Sequence, residues 1–578
     1  MALNGDPRRI SFLALLAALL GLLAGGAAWL LVNLIGLITN LTLFGRVATE
    51  LPAMATLEPS PRIVIVAVAG ALVVALLAKW SPIIKGHGIP EAMESVLSKQ
   101  SRVAPRTALA KPLSAAVAIG TGGPFGAEGP IIVTGGSLGS LLGQVLDVSP
   151  SERKILLACG AAGGMAATFG APIASIVLAI ELLLFEFSTR AFIPLAVSAS
   201  VAGGVHNAVF GDGPLFSVPD FAFAGLSDLP LFLPLGLLAG LAAVVITRGL
   251  FAVEAGFRRL PVSEFWHPAL GAVGFACVAL FVPEVLGVGY DVIDKILADE
   301  YTMGGLAILA GAKLVAWWLA LGSGTSGGTL APVLLISGAF GAVIGHVTVG
   351  LFPGAGILPG EFALVAMAAT FGAATRATLT SIVFVFELTR AYEVILPLIL
   401  AAVLADLVAA WLLPHTLMTE KLARRGMVVS TDLGVDVLGT WKVGDVMTSS
   451  VVTLPIEAST QDAIDLIATS GHGAFPLVAD GRLVGIVSRS DLFGQDRPRP
   501  EKLADVVRSD VITARPEESL RTALERMMEE GVEHLPVLDG DGALVGICTR
   551  TDILISQHRR VFDDRRQPGW RPPMARRR

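Results

Sequence analysis

The heptapeptide MAATFGA occurs at residues 165–171 and again at residues 367–373, 202 positions later. At the same offset, GAEGPIIVTGGSLGSLLG (126–143) aligns with GTLAPVLLISGAFGAVIG (328–345), and the shared glycines and proline fall at matching places. Agreement that extends so far beyond the heptapeptide indicates a duplication of one ancestral unit.

A further pair of segments extends the duplication toward the C-terminus. SIVLAIEL (175–182) matches SIVFVFEL (381–388) after a shift of four residues. We therefore predict two copies of one unit, at about residues 60–210 and 230–426. Repeats that are inserted with opposite orientation are a recurrent plan of membrane transporters.

The composition of the 578-residue chain indicates a membrane protein. Hydrophobic residues make up 53% of it and charged residues 16%, and its mean hydropathy is +0.72. Apolar runs of spanning or near-spanning length recur along it, which predicts several transmembrane helices. We expect the glycine-rich stretches at 131–146 and 333–352 to form shorter or broken helices.

Basic residues at both ends of the apolar region determine the expected topology. Arg8 and Arg9 precede the first apolar run, and Lys421, Arg424 and Arg425 follow the last one. Because positive residues collect on the cytoplasmic side, we expect both termini in the cytoplasm. The first run is longer than the core of a signal peptide and further spans follow it, so we interpret it as a membrane helix.

A second duplication follows a change of composition near residue 414. Residues 443–493 parallel residues 503–554, and each half shows the pattern strand, helix, strand, strand, helix. Asp480–Gly481 and Asp539–Gly540 mark hairpin turns. The predicted domains are a membrane unit at 1–426, a linker at 427–442, two water-soluble domains at 443–498 and 499–560, and a basic tail at 561–578.

Glu128 lies among glycines at the start of an apolar helix, in GAEGP (126–130). Glycine permits close backbone approach, and Pro130 suits a first helical turn, where an N–H is not needed. Such a start offers unpaired amides and a helix dipole, which attract anions. Since GHGIP (86–90) and GGTLAP (327–332) repeat the pattern, we predict that three helix starts converge on an anion site.

The duplication leaves one carboxylate in this site, because the position matched to Glu128 is Leu330. We predict that an ionised, inward Glu128 fills the anion position and blocks the path. A protonated or outward Glu128 opens it, so the pathway responds to pH and to the anion. The alternative is a glutamate that only caps its own helix.

These motifs resemble those of the CLC chloride channels and proton/chloride antiporters, over roughly residues 60–426, and the C-terminal pair resembles tandem CBS domains. GHGIP (86–90), GAEGP (126–130) and GGTLAPVLLISGAFG (327–341) carry the likeness in that order. The resemblance implies a membrane α-helical bundle of two inverted repeats with discontinuous helices, plus a cytoplasmic α/β CBS pair. It also implies a homodimer in the bacterial inner membrane, with one anion pathway in each subunit.

The resemblance assigns roles to single residues. Glu128 aligns with the gating glutamate of the family. His87 replaces a serine that often coordinates the anion, and Met418 replaces a pore tyrosine, so two hydroxyl donors of the family are missing. The residues implied to bind the anion are His87, Gly88, Ile89, Gly126, Gly129, Thr329, Leu330 and Met418.

Proton coupling depends on the segment after the heptapeptide. Leu182 stands where antiporters often carry an internal proton-transfer glutamate, which favours channel-like or weakly proton-coupled transport of chloride and similar small anions. Glu181 is a candidate for the proton path, but its match Glu387 favours a structural role. One alternative is a proton-coupled chloride or fluoride antiporter. A second is a magnesium channel, which needs acidic or carbonyl ligands along its path. A third is an enzyme, for which we find no catalytic or metal-binding group of residues in the sequence.

The CBS resemblance also implies a regulatory ligand. Ser488 and Asp491 follow one strand and begin a helix, as Thr549 and Asp552 do in the second half. Helix-start amides suit phosphate and the aspartates suit ribose hydroxyls, so we expect an adenine nucleotide, ATP or AMP. The alternative is an ordinary helix cap. The expected partners are a second copy of the chain, membrane lipid, chloride and the nucleotide, without nucleic acid.

Overall fold

A computed structural model of the chain describes residues 7–146, 148–219, 221, 225–354, 356–427, 438, 441–480, 482–493, 501–505 and 510–554. The chain divides into two units, Met1–Leu433 and Gly434–Arg578. The linker predicted at 427–442 lies mostly outside the described residues, and the basic tail at 561–578 lies wholly outside them.

The first unit is helical, and seven of its described helical segments are long and apolar enough to cross a membrane. Six helices begin at a proline, which suits a first turn because the missing N–H has no helical partner there. Helices α1 to α17 are Pro7–Thr39, Pro61–Trp80, Ile89–Ser98, Pro105–Gly120, Glu128–Val145, Pro150–Phe169, Pro172–Ala179, Thr189–Phe210, Phe232–Arg258, His267–Ala279, Tyr290–Leu297, Met303–Gly322, Leu330–Leu351, Pro359–Thr375, Thr378–Thr389, Ile395–Leu412 and Glu420–Arg424.

The glycine-rich stretches are not broken, contrary to the prediction. α5 and α13 are continuous helices of 18 and 22 residues. A Cβ on Gly139 would lie 2.0 Å from the carbonyl oxygen of Leu156, and one on Gly341 would lie 2.5 Å from that of Phe362. Because small residues let helices approach closely in membranes, these glycines are contact positions between α5 and α6 and between α13 and α14.

The two copies pack alike. α1 lies against α4, α6 and α8, as α9 lies against α12, α14 and α16. α2 contacts α10 and α7 contacts α15, which joins the copies. The correspondence in packing includes α1, which begins at Pro7, whereas the sequence comparison starts the first copy near residue 60.

Two matched glutamates show the inverted relation of the copies. Glu181, just after α7, accepts hydrogen bonds from the amide and hydroxyl of Thr380 near the start of α15, at 3.0 and 2.6 Å. Glu387, within α15, accepts from the amides of Ile173 and Ala174 at the start of α7, at 3.0 and 2.7 Å. Since each helix caps the beginning of the other, α7 and α15 run antiparallel.

The second unit contains two copies of a small α/β motif. In the first, β1 pairs parallel with β2, which pairs antiparallel with β3. In the second, β4 pairs antiparallel with β5, and a single parallel bridge between Ala514 and Val537 replaces a first strand. Phe475 and Leu535 occupy matched places in two separate hydrophobic cores. The strands are Leu454–Pro455, Ala474–Ala479, Arg482–Ser488, His534–Leu538 and Leu544–Thr549, and helices α18 to α21 are Val443–Val446, Thr460–Ser470, Arg489–Phe493 and Leu520–Glu529.

Candidate anion-binding site

The predicted helix starts meet in the first unit. Gly328 donates a backbone hydrogen bond of 2.9 Å to Gly126, and Gly126 donates one of 3.4 Å to Gly328, so the matched glycines of the two copies bond each other reciprocally. A Cβ on Gly129 would lie 1.8 Å from the carbonyl oxygen of His87. The starts of α3, α5 and α13 are therefore in direct backbone contact.

Glu128 lies where these starts meet. Its side chain is fully buried, and Oε1 accepts a hydrogen bond of 3.0 Å from the Ala331 amide in the first turn of α13. Glycines leave the room for the carboxylate, because a Cβ on Gly126 would lie 1.8 Å from one oxygen and a Cβ on Gly328 would lie 2.6 Å from the other. The carboxylate of the first copy thus occupies the helix start of the second copy, where amides and the helix dipole favour negative charge.

The sequence analysis did not name the amide that bonds Glu128. It assigned Thr329 and Leu330 to the transported anion, and the hydrogen bond to Glu128 comes from the next residue, Ala331, while the Leu330 amide also faces the carboxylate. The buried Thr329 hydroxyl has no hydrogen-bond partner among the described residues. The general rule could have included Ala331, because the free amides of a helix start extend over its whole first turn.

Two further residues predicted to bind the anion are His87 and Met418. His87 is buried, and the backbone of Leu417 and the charges of Lys111 and Lys421 act on its ring. Met418 is also buried and offers only a thioether, while its amide donates to the Thr416 hydroxyl at 3.2 Å. His87 therefore supplies an imidazole, whereas the Met418 side chain supplies no hydrogen-bond donor.

One predicted donor of the α3 start is already occupied. The Gly88 amide, which was expected to face the anion, donates to Oε2 of Glu91 at 2.8 Å. Glu91 is the third residue of α3, and a glutamate there normally reaches back to the residue before the helix. The Gly88 amide therefore has an acceptor within its own turn, and its role toward the anion stays a prediction, as does that of Ile89 at the helix start.

Two buried lysines hold matching loops, and the sequence analysis did not single them out. Lys111 and Lys313 are 202 positions apart and are fully buried. A lysine that recurs inside the same apolar run of both copies was an available signal, since charge within a membrane segment requires a reason. Their acceptors are the carbonyl oxygens of Ile84 and Gly86 for Lys111, at 2.8 and 2.9 Å, and of Val285 and Gly287 for Lys313, at 2.9 and 3.1 Å.

α11 provides a fourth helix start, which the sequence analysis also missed. Tyr290, its first residue, follows Gly289 with a φ of +82°, as Ile89 follows Gly88 with a φ of +99°. Glycine tolerates this left-handed conformation at little cost. GVGYD (287–291) is therefore the counterpart of GHGIP, and the lysine hydrogen bonds above fall on matching residues of the two loops.

A cavity of about 850 Å³ adjoins the start of α3 at Gly86. Its wall carries more basic than acidic side chains, and such a surface raises the local concentration of anions. The basic residues are Lys85, Lys99, Arg106, Arg258, Lys421, Arg424 and Arg425, and the acidic ones are Glu91, Glu94, Glu254 and Glu264.

In the second unit, the predicted nucleotide ligands form helix caps. The amide and hydroxyl of Ser488 donate to Asp491 at 2.9 and 2.6 Å, and those of Thr549 donate to Asp552 at 2.9 and 2.8 Å. Thr549 and Asp552 also line a cavity of about 370 Å³, together with His472 and His534. Burial lowers the pKa of His534, despite the opposing charges of Glu533 and Asp552.

The fold and the site together define the class of protein. Two inverted repeats of apolar helices join their glycine-rich helix starts, and one buried carboxylate lies among the amides there. This is the architecture of a membrane transporter whose path attracts anions.

Comparison with known sequences identifies the family. A family model described as voltage gated chloride channel matches residues 69–410, and a CBS domain model matches residues 443–495 and 503–558. The chain therefore belongs to the CLC family and carries tandem CBS domains.

The alignments to individual relatives cover most of each relative's length. A ClcB-like protein of Ralstonia nicotianae is 33% identical over 329 residues, which are 56% of this chain and 76% of that protein. The H(+)/Cl(-) exchange transporter ClcA of Vibrio campbellii is 33% identical over 373 residues, 61% of this chain and 79% of that protein. Among solved structures, a slow cyanobacterial Cl-/H+ antiporter superposes with a TM-score of 0.65 at 26% identity, covering 73% of this chain and 99% of that one.

Proposed function

We propose that this protein carries chloride and similar small monovalent anions across a membrane, along a pathway that Glu128 gates. The observation that supports this most directly is the hydrogen bond from the Ala331 amide to the buried Glu128 carboxylate. An anion that entered the site would find the same donor. Because amide dipoles carry only partial charges, they can hold an ion without binding it too tightly for release.

In this mechanism the carboxylate and the transported anion compete for one position. While Glu128 is ionised and bonded to α13, it excludes the anion from the helix start. Protonation weakens its hold on the amides, and an arriving anion repels the ionised form. Chloride flux should therefore rise on acidification. The basic cavity at Gly86 should raise the anion concentration beside the start of α3.

The contacts of Glu181 favour channel-like or weakly coupled transport. Leu182 supplies no proton acceptor, and Glu181 is engaged by the amide and hydroxyl of Thr380. The second candidate is proton-coupled chloride exchange, which is favoured by the similarity to the Vibrio H(+)/Cl(-) exchange transporter and to the cyanobacterial Cl-/H+ antiporter. In that case Glu181 remains a candidate for the internal proton path.

The deciding experiment records chloride efflux and internal pH together in proteoliposomes, with and without a proton ionophore. We expect chloride efflux that rises at acidic pH, and efflux of Glu128→Ala that no longer responds to pH. Glu58→Ala, at an exposed glutamate outside the site, is the control that should keep the response. Stoichiometric proton movement against a gradient would replace the channel-like mechanism by exchange, and a pH response retained in Glu128→Ala would remove that residue from the gate.

The remaining assignments extend this proposal. The imidazole of His87 serves as an anion donor at the α3 end, with Ile89, while Gly126 and Gly129 shape the passage. We place the protein as a homodimer in a bacterial inner membrane, with both termini in the cytoplasm. Cysteine cross-linking in native membranes tests the dimer, and thiol labelling from either side tests the topology.

We also propose that the CBS pair binds an adenine nucleotide at the cavity lined by Thr549 and Asp552. The support is the cavity itself, because the helix caps alone are satisfied by their own hydrogen bonds. Binding can bias transport only if it differs between two conformations of the protein. Equilibrium binding of labelled ATP and AMP to the full chain, compared between wild type and Asp552→Ala, tests the site, and Asp491→Ala is the matched control.

A further inference from the structure

Tyr290 has a buried hydroxyl that the fold does not use. The hydroxyl has no hydrogen-bond partner within the described residues. Its ring is held edge-on between Phe169 and Phe216, with ring centroids 6.2 and 5.9 Å apart. A buried polar group normally finds a partner, because leaving it unpaired costs free energy. Packing against the two phenylalanines accounts for an aromatic ring at this position, but it does not account for a buried hydroxyl.

Tyr290 lies beside the helix whose start holds Glu128. α11 packs against α13, and a Cβ on Gly289 would lie 2.7 Å from the Leu335 side chain of α13 and 3.6 Å from Nζ of Lys313. The charge of Glu128 also acts on Tyr290. Tyr290 is also the first residue of α11, the helix start that is the counterpart of α3. The titratable and charged groups on the elements packed against Tyr290 and α11 are Asp291, Asp294 and Lys295 of α11, His346 of α13, Glu361 of α14, Glu152, Arg153 and Lys154 of α6, and Lys313, whose Nζ adjoins Gly289.

We propose that the Tyr290 hydroxyl receives the Glu128 carboxylate when that carboxylate leaves the start of α13. This rests on the gating role proposed above. Once an anion takes the Ala331 amide, an ionised Glu128 that stayed buried without a donor would be costly. A phenol is a hydrogen-bond donor, and its bond to a carboxylate is stronger than a bond between neutral groups. Tyr290 thus stabilises the open gate, and its hydroxyl is unpartnered because the structure shows the closed one.

The matched position of the first copy lacks this hydroxyl. Ile89 corresponds to Tyr290 and offers no side-chain donor. The hydroxyl at the start of α11 therefore has no counterpart at the matched residue of α3.

Tyr290→Phe is a sharp test, because it keeps the ring contacts and removes only the hydroxyl. We expect chloride efflux from proteoliposomes to fall about tenfold at about pH 7.5, the order expected for one hydrogen bond to a charged group, and to change little at about pH 4.5. In a Glu128→Ala background the same substitution should have no effect. Tyr392→Phe, whose side chain is exposed, is the matched control and should behave as wild type.

Each outcome decides the proposal. Efflux of Tyr290→Phe equal to wild type at both pH values overturns it, and so does a tenfold loss that persists in Glu128→Ala, since the hydroxyl then serves the anion. Thermal unfolding of Tyr290→Phe should begin at or above the wild-type temperature, and earlier unfolding would show that the hydroxyl is bonded in the closed state. If Glu128→Ala alone keeps the pH response, the proposed gate fails first, independently of Tyr290.

Discussion

The two copies of the membrane unit share a scaffold and differ in its chemistry. In each copy a buried lysine, Lys111 or Lys313, bonds two carbonyl oxygens of the loop before a glycine-started helix. The copies then meet through the reciprocal bonds of Gly126 and Gly328. The lysine hydrogen bonds that hold the two loops are therefore duplicated, as are the backbone hydrogen bonds that join the copies.

The chemically active side chains are not duplicated. Glu128 is matched by Leu330, His87 by Val288 and Tyr290 by Ile89. The comparison teaches that the scaffold needs symmetry, since two opposed helix starts create one site, while gating needs a difference between the two sides. Substitutions at matched positions test this division.

The largest loss of stability is expected when a lysine is removed. Lys111→Met or Lys313→Met leaves two buried carbonyl oxygens without a donor, so the free energy of unfolding should fall by about 3 kcal/mol in either case. Thermal unfolding in detergent measures it, with the exposed Lys79→Met as control. A large loss for only one of the two lysines would break the symmetry of the scaffold.

The next effect concerns the space around the gate. Gly126→Ala places a Cβ 1.8 Å from a Glu128 oxygen, so the carboxylate has to leave the start of α13. We expect efflux at about pH 7.5 to rise by about tenfold and to lose most of its pH response, as a hydrogen bond to a charged group is given up. Gly204→Ala, where the added Cβ meets nothing, is the control. A wild-type pH response in Gly126→Ala would contradict the closed gate seen here.

A smaller effect is expected at the paired caps of α7 and α15. Glu181→Gln and Glu387→Gln each weaken one charged cap, which should lower the free energy of unfolding by about 1 kcal/mol. Chloride efflux should persist in both variants. If Glu181→Gln abolished proton movement while Glu387→Gln did not, the structural role of Glu181 would be wrong.

The smallest effect is expected in the second unit. Burial lowers the pKa of His534 below its ordinary value of 6.5, so the unfolded state binds more protons as the pH falls below that value. The unit should therefore lose stability on acidification, and hydrogen exchange in β4 and β5, corrected for intrinsic rates, should show it in the full chain. His534→Gln should reduce this pH dependence and His472→Gln, at an exposed residue, should not. Equal pH dependence in wild type and His534→Gln would exclude His534 as its origin.

The duplication and the glycine motifs were sufficient to predict the fold class and the meeting of three helix starts. They did not predict which amide bonds Glu128, because the Ala331 donor depends on how deeply one copy reaches into the other. They also failed for the stretches at 131–146 and 333–352, since glycine in a membrane helix can serve contact as readily as interruption. They did not predict the hydrogen bond from the Gly88 amide to Glu91 either, because the neighbouring carboxylate was not considered as an acceptor.

The lysines were missed for a different reason. The glycine motifs draw attention to polar residues next to glycines, whereas Lys111 and Lys313 lie inside apolar helices and bond loops more than twenty residues earlier in the chain. Tyr290 does follow a glycine, but GVGYD shares only its two glycines with GHGIP. A comparison of the two copies at every polar position would have found them.

The reciprocal hydrogen bonds between Gly126 and Gly328 limit how this transporter can work. They tie the two halves of the membrane unit together beside Glu128, at the proposed anion position. A cycle that exposed the site alternately by rocking one half over the other would have to break this joint at each turnover. The moving part is therefore expected to be as small as a rotating side chain, and the helices around it can stay nearly still throughout the cycle.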